Sequence, residues 1–193
     1  MNKNVRRLTD GAMVLAIVGV FLLIDRQFAG VMSGLFTFLL PLPMVFYSTK
    51  YGMKESWVVL FSLILLSVVL GTPELIFYVA SESLIGLIYG ACINKHVETR
   101  KVILLTMLVS VLATIVSTFV MAKIIGYDFM EEISQMEITM TQVMNQTQMN
   151  LPNTINLHDY MVSIFLATVV LTGVLQGYIT HVISRLIDRK SVV

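Results

Sequence analysis

Charge is scarce in this chain. Of its 193 residues, 13% are Asp, Glu, Lys or Arg, where an ordinary soluble domain carries about a quarter. A water-facing surface needs more, so a soluble globular domain is excluded. Hydrophobic residues make up 56%, which excludes a disordered chain as well. The net charge of +1 provides no basic field for nucleic acid. Cys92 is the single cysteine, so there is no internal disulfide framework. No G-x-x-x-x-G-K-[ST] and no H-E-x-x-H occurs, so the chain carries neither an ATP motor nor that zinc motif. Its three histidines, His96, His158 and His181, fall at different depths in the topology below. No Ser/His or Cys/His pair shares one depth, and Glu131-Glu132 is an isolated acidic pair. We therefore expect no catalytic residues, no metal site, no cofactor and no enzymatic activity.

What the chain has is long apolar stretches between clusters of charge. A spanning helix needs about 20 apolar residues, because ~30 Å of hydrocarbon is covered at ~1.5 Å per residue. Six segments qualify, at about 8–24, 30–48, 56–71, 73–93, 102–125 and 158–184. The expected fold is thus all-α: one transmembrane domain over residues 1–193, a six-helix bundle in the lipid bilayer. Gly71-Thr72-Pro73 reads as a tight hairpin with Pro at a helix start. Pro41 and Pro43 interrupt the second span, where a kink or a broken helix is expected. The first segment has a basic start, but no small-x-small cleavage site follows it, so it reads as a span and not a signal peptide.

Lys and Arg set the orientation. With the N-terminus in the cytoplasm, the inner side holds Lys3, Arg6, Arg7, Lys50, Lys54, Lys95, Arg100, Lys101, Arg185, Arg189 and Lys190. The outer side keeps Arg26 and Lys123. That bias predicts a multi-pass protein of the cell membrane with both termini cytoplasmic. Residues 126–157 then form the one long outer segment. Asp128 and Glu131 make a capping pair for a helix, and Met130, Ile133, Met136, Met140, Val143 and Met144 line one face of it before Leu151-Pro152-Asn153 ends it. Three readings stand side by side: an amphipathic helix in the outer interface, a lid over a pocket between the spans, and a Met136–Met140–Met144 thioether stack for Cu(I). Met is also an apolar filler, and no Cys lies near.

Polar groups at membrane depth are the candidate site. Glu82 lies nine residues into the fourth span. A carboxylate there costs at least ~2.5–3.5 kcal/mol to insert, so it should face the bundle and have a partner. It reads either as a ligand-binding residue or as a packing residue. Tyr78 is one turn outward on its face; Gln176 in the sixth span is a candidate for an interhelical hydrogen bond. Lys123, near the outer end of the fifth span, either snorkels or pairs with Asp128 or an anionic ligand. His181 is expected to cap a helix C-terminus. Small residues spaced by four mark close helix contacts: Ala12 and Ala16 with Gly19 continuing their face, Gly86 and Gly90, and Gly173 and Gly177.

Leu8-Thr9-Asp10-Gly11-Ala12, Leu40-Pro41-Leu42-Pro43, Tyr51-Gly52-Met53-Lys54 and the Met- and Gln-rich outer segment together resemble the YybS-like family of predicted membrane proteins over essentially the whole chain. Members of that family typically continue with further spans, which implies a short form or a truncated product here. The N-terminal part of that family is similar to the substrate-binding (S) component of energy-coupling-factor vitamin transporters. That resemblance implies six helices, cytoplasmic termini, and an A-x-x-x-A face, here Ala12 and Ala16, docking on a transmembrane coupling subunit driven by ATPases. It also implies a small-molecule ligand toward the outer side, near Tyr78, Glu82 and residues 126–157. Two functions compete: an S-component-like binder of a small nutrient, and a non-transporting membrane scaffold or sensor of the same fold. An ion-coupled carrier ranks below them, since Glu82 is the one carboxylate read at depth.

Overall fold

A computed structural model of the chain describes residues 3–28, 38–126, 128–147 and 156–190. The described elements are seven α-helices: α1 (Lys3–Gln27), α2 (Pro41–Tyr51), α3 (Met53–Leu70), α4 (Pro73–Asn94), α5 (Thr99–Ile125), α6 (Phe129–Thr147) and α7 (Leu157–Lys190). Five of them, α1, α3, α4, α5 and α7, are long and apolar enough to cross a membrane. Each runs past one or both ends of its apolar stretch, because a helix keeps its backbone bonded as its residues turn polar. Large apolar side chains face outward, among them Leu65 and Val69 on α3, Leu104 and Leu108 on α5, and Leu166 and Leu171 on α7. Water would oppose that arrangement and lipid favours it.

The second expected span, 30–48, lies partly outside the described residues. Its described part, α2, has 11 residues, about 16 Å at ~1.5 Å per residue, too short to cross by itself. The helix is broken at the expected place: residues 38–39 are helical, Leu40 is a turn, and Pro41 and Pro43 sit in the first turn of α2, where missing N–H groups have no intrahelical acceptor to lose. The turn to α3 needs Gly52, whose φ of +78° is strained for a side-chain-bearing residue.

Polar contacts show which helix ends lie together. Arg7 of α1 pairs with Glu55 of α3 at 2.7 Å, and Lys50 of α2 pairs with Asp10 of α1. The Asp10 carboxylate, helped by the Tyr51 hydroxyl, raises the Lys50 ammonium above its ordinary pKa. Asn94, at the end of α4, donates to the Thr49 carbonyl at 2.8 Å. Arg185 of α7 reaches Thr99 Oγ1, at the start of α5, at 3.4 Å. One end of the bundle therefore gathers the starts of α1, α3 and α5 and the ends of α2, α4 and α7.

α4 is central, packed on α2, α3 and α5, while α7 lies mainly along α5. The core between α1, α2, α3 and α4 is aliphatic, with Val18, Leu22, Met44, Leu63, Val79 and Leu87 all buried. The glycine pairs do what their spacing predicts. A Cβ on Gly86 would lie 2.4 Å from the Pro41 carbonyl oxygen, and one on Gly90 2.5 Å from that of Val45. On α7, a Cβ on Gly173 or Gly177 would meet the α5 backbone at Val111 or Met107, at 2.6 and 2.7 Å. Gly19 departs from expectation: it is buried against Leu66 and Leu70 of α3, whereas Ala12 and Ala16 are exposed.

Candidate functional site

The polar seam between α4 and α7 is the first candidate. α7 is inverted relative to a helix in water: its buried stripe is Gly173, Gln176, Gly177, Thr180, His181 and Ser184, and its outward face carries leucines. The glycines bring the α7 backbone onto α5, and the polar side chains of the stripe reach toward α4. Gln176 Nε2 donates to Glu82 Oε2 at 2.6 Å. Farther along, the Tyr89 hydroxyl and His181 Nδ1 are 2.9 Å apart, with the rings edge to face. Thr180 Oγ1 donates to the Gln176 carbonyl at 2.9 Å, which fixes that side chain against its own helix. Two hydrogen bonds thus bridge helices whose backbones approach each other less closely than either approaches α5.

The expected site residues divide. Glu82 is 6% exposed and Gln176 is its partner, so those two come together as the depth argument requires. Tyr78 is half-buried one turn from Glu82 on the side away from the Lys50–Arg185 end. Lys123 is exposed near the end of α5 and does not join the pair; it makes no ion pair with Asp128 among the described residues. His181 does not cap a helix end, since α7 continues to Lys190 and the ring is buried on Tyr89.

The second candidate lies at the far end of the bundle. α6 starts as expected: Asp128 Oδ1 accepts from Met130 N–H at 2.9 Å, satisfying one of the first-turn donors. The end expected at Leu151-Pro152-Asn153 falls outside the described residues. α6 packs on α7, with Ile133 and Met161 buried, and His158 Nδ1 sits 3.4 Å from Glu137 Oε2. An open groove of about 530 Å³ runs between the two helices, lined by Glu132, Gln135, Met136, Met140, Tyr160 and Met161 among others. Of the apolar face read from the sequence, Met130 and Val143 are exposed, and Val143 also lines the groove. The groove suits an amphipathic small molecule: thioether and aliphatic walls with a few polar groups that orient what binds.

Tyr89 escaped the sequence reading, and His181 was read as a helix cap. Tyr89 follows Glu82 by seven positions, and His181 follows Gln176 by five. The seven-residue spacing keeps Tyr89 on the face of Glu82, which was the available signal for a second bridging pair. Asp25 looks like a loop charge after the first apolar run, yet it belongs to α1 and is 2% exposed. Its Oδ1 has no hydrogen-bond partner among the described residues.

A family model described as "Predicted membrane protein (DUF2232)" matches residues 16–192 of the chain. Comparison with curated proteins and with solved structures gave no match.

Proposed function

The chain belongs to this family of predicted membrane proteins, and from that premise we propose that it is an S-component-like binding protein that takes a small nutrient at the outer face of the cell membrane for import by a partner ATP-driven module. The observation that carries this reading is the groove of about 530 Å³ between α6 and α7, at the end opposite Lys50 and Arg185. The buried Glu82–Gln176 pair, with Tyr78 one turn nearer the groove, supplies polar groups deeper in the bundle. In this reading the stretch ending in α2 is the second of six spans, α6 is the outer helix, and both termini are cytoplasmic. The Lys- and Arg-rich inner side supports that orientation. Lys123 at the outer end of α5 would meet an anionic group on the ligand. The exposed Ala12 and Ala16 offer α1 as a close-packing face to a transmembrane coupling subunit. No catalytic step is assigned to the chain itself.

A non-transporting scaffold or sensor of the same fold is the second reading. It is favoured by the openness of the groove and by Gln176, which already engages Glu82 as a packing partner would. Native mass spectrometry of the purified protein separates the two. A co-purified small molecule that is lost in Glu82→Gln supports nutrient binding. Subunits recovered with no small molecule, and Glu82→Gln indistinguishable from wild type, support the scaffold.

A further inference from the structure

A second pocket lies at the other end of the seam, and it does not depend on the reading above. It has a volume of about 220 Å³ and sits between α2, α4, the start of α5 and the end of α7. Its polar lining is Thr49, Tyr89, Thr99, His181, Ser184 and Arg185, with no carboxylate among its described lining residues. We propose that this pocket binds a phosphate group.

The polar side of the lining suits an anion, against a wall of Val45, Phe46, Ile93 and Val102. Arg185 is exposed at the mouth, and its contact to Thr99 Oγ1 uses one of its five N–H donors. Guanidinium engages phosphate oxygens in pairs, so the remaining donors are well matched to the ligand. Ser184 is 7% exposed, and its Oγ has no hydrogen-bond partner among the described residues, although a buried hydroxyl normally has one. It lines the pocket and is a ready donor to an oxygen placed there. His181 is anchored at Nδ1 by Tyr89, which leaves Nε2 as the polar atom of a fixed ring. Thr99 opens α5, and Glu98 at its N-cap makes no side-chain capping bond; it pairs instead with Lys101 at 3.4 Å. The first N–H groups of α5 therefore lack a capping side chain beside the pocket, and a helix start favours anions.

The phosphate has two possible carriers. Arg185 closes the apolar run Leu157–Leu186, at the depth of lipid headgroups, so a lipid phosphodiester reaches it; so does a soluble phosphate from the aqueous side. The test is native mass spectrometry of the full chain in detergent, titrated separately with phosphatidylglycerol and with inorganic phosphate. Wild type should bind at least one of them. Arg185→Gln should weaken that binding roughly tenfold or more, and Ser184→Ala several-fold, as for loss of a charge-assisted and a neutral hydrogen bond. Thermal midpoints in the same detergent check that both variants fold; Thr99→Val replaces either one that does not. Saturation by the lipid alone assigns a headgroup site, and saturation by inorganic phosphate assigns a soluble ligand. Failure of wild type to bind either probe, or equal binding by folded variants, overturns the proposal.

Discussion

Gln176 reaches across from α7 to place its amide 2.6 Å from the Glu82 carboxylate on α4, in a part of the bundle otherwise held by small residues and aliphatic contacts. Removing either side chain takes this 2.6 Å hydrogen bond from the other in a buried site. Glu82→Ala should therefore destabilise the protein by about 1–3 kcal/mol, whereas Glu82→Gln keeps a hydrogen-bonding group in place and should cost less. Replacing both, Glu82→Leu with Gln176→Leu, should recover most of the loss, since two apolar groups then fill the buried space. Unfolding in detergent mixtures followed by circular dichroism measures all three against wild type. A double variant no better than Glu82→Ala would show that the pair is not a coupled unit.

Close packing at the α4 glycines gives a second expectation. A methyl on Gly90 would fall 1.9 Å from Ser48 Oγ and 2.5 Å from the Val45 carbonyl oxygen. The hydroxyl can rotate away, but the carbonyl is backbone, so α2 must move. Gly90→Ala should cost about 1–3 kcal/mol, as overpacking does. Gly126 is the control. It has φ +74° but nothing within 4 Å of a built Cβ, so Gly126→Ala should show only the strain of that backbone, about 1 kcal/mol. Thermal midpoints in one detergent rank the two variants, and a smaller loss for Gly90→Ala would contradict the packing described.

How much of this was legible from the residues follows from what lipid penalises. Apolar runs of spanning length were readable because hydrocarbon cannot hydrogen-bond a backbone. Glu82 and Gln176 were readable because a polar group at that depth must find a partner. The paired glycines were readable because backbones approach only where Cβ atoms are missing. Tyr89 was hidden by its own chemistry: an amphipathic phenol near a span end is equally at home at a membrane interface. His181 looked like a terminal cap because hydropathy falls there, while the helix itself runs on to Lys190. Asp25 was missed because a charge beside an apolar run marks the end of the run without marking the end of the helix. The short α2 was not separable by hydropathy from the stretch before it.

The docking face on α1 is tested by enlarging it. Ala12 and Ala16 are exposed, so Ala12→Leu with Ala16→Leu should leave the thermal midpoint within about 0.5 kcal/mol of wild type, as for surface changes. If a membrane partner packs there, two added isobutyl groups push the helices apart, and the yield of co-purified subunits should fall several-fold. A yield equal to wild type would remove α1 from the docking model without touching the fold.

The orientation in the membrane can be read directly, because the chain has one native thiol, Cys92, half-buried in α4. In a Cys92→Ser background, Thr141→Cys puts a thiol on the exposed surface of α6, and Lys54→Cys puts one at the start of α3. With the Lys- and Arg-rich end in the cytoplasm, a membrane-impermeant maleimide should label Cys at 141 in intact cells and Cys at 54 only after lysis. The two positions lie at opposite ends of the bundle, so any consistent topology must label them on opposite sides. Labelling at 54 and protection at 141 would invert the molecule. The α6–α7 groove would then open inward, and outer capture of a nutrient would have to be given up. The pocket at Ser184 and Arg185 would keep its chemistry but face the other leaflet.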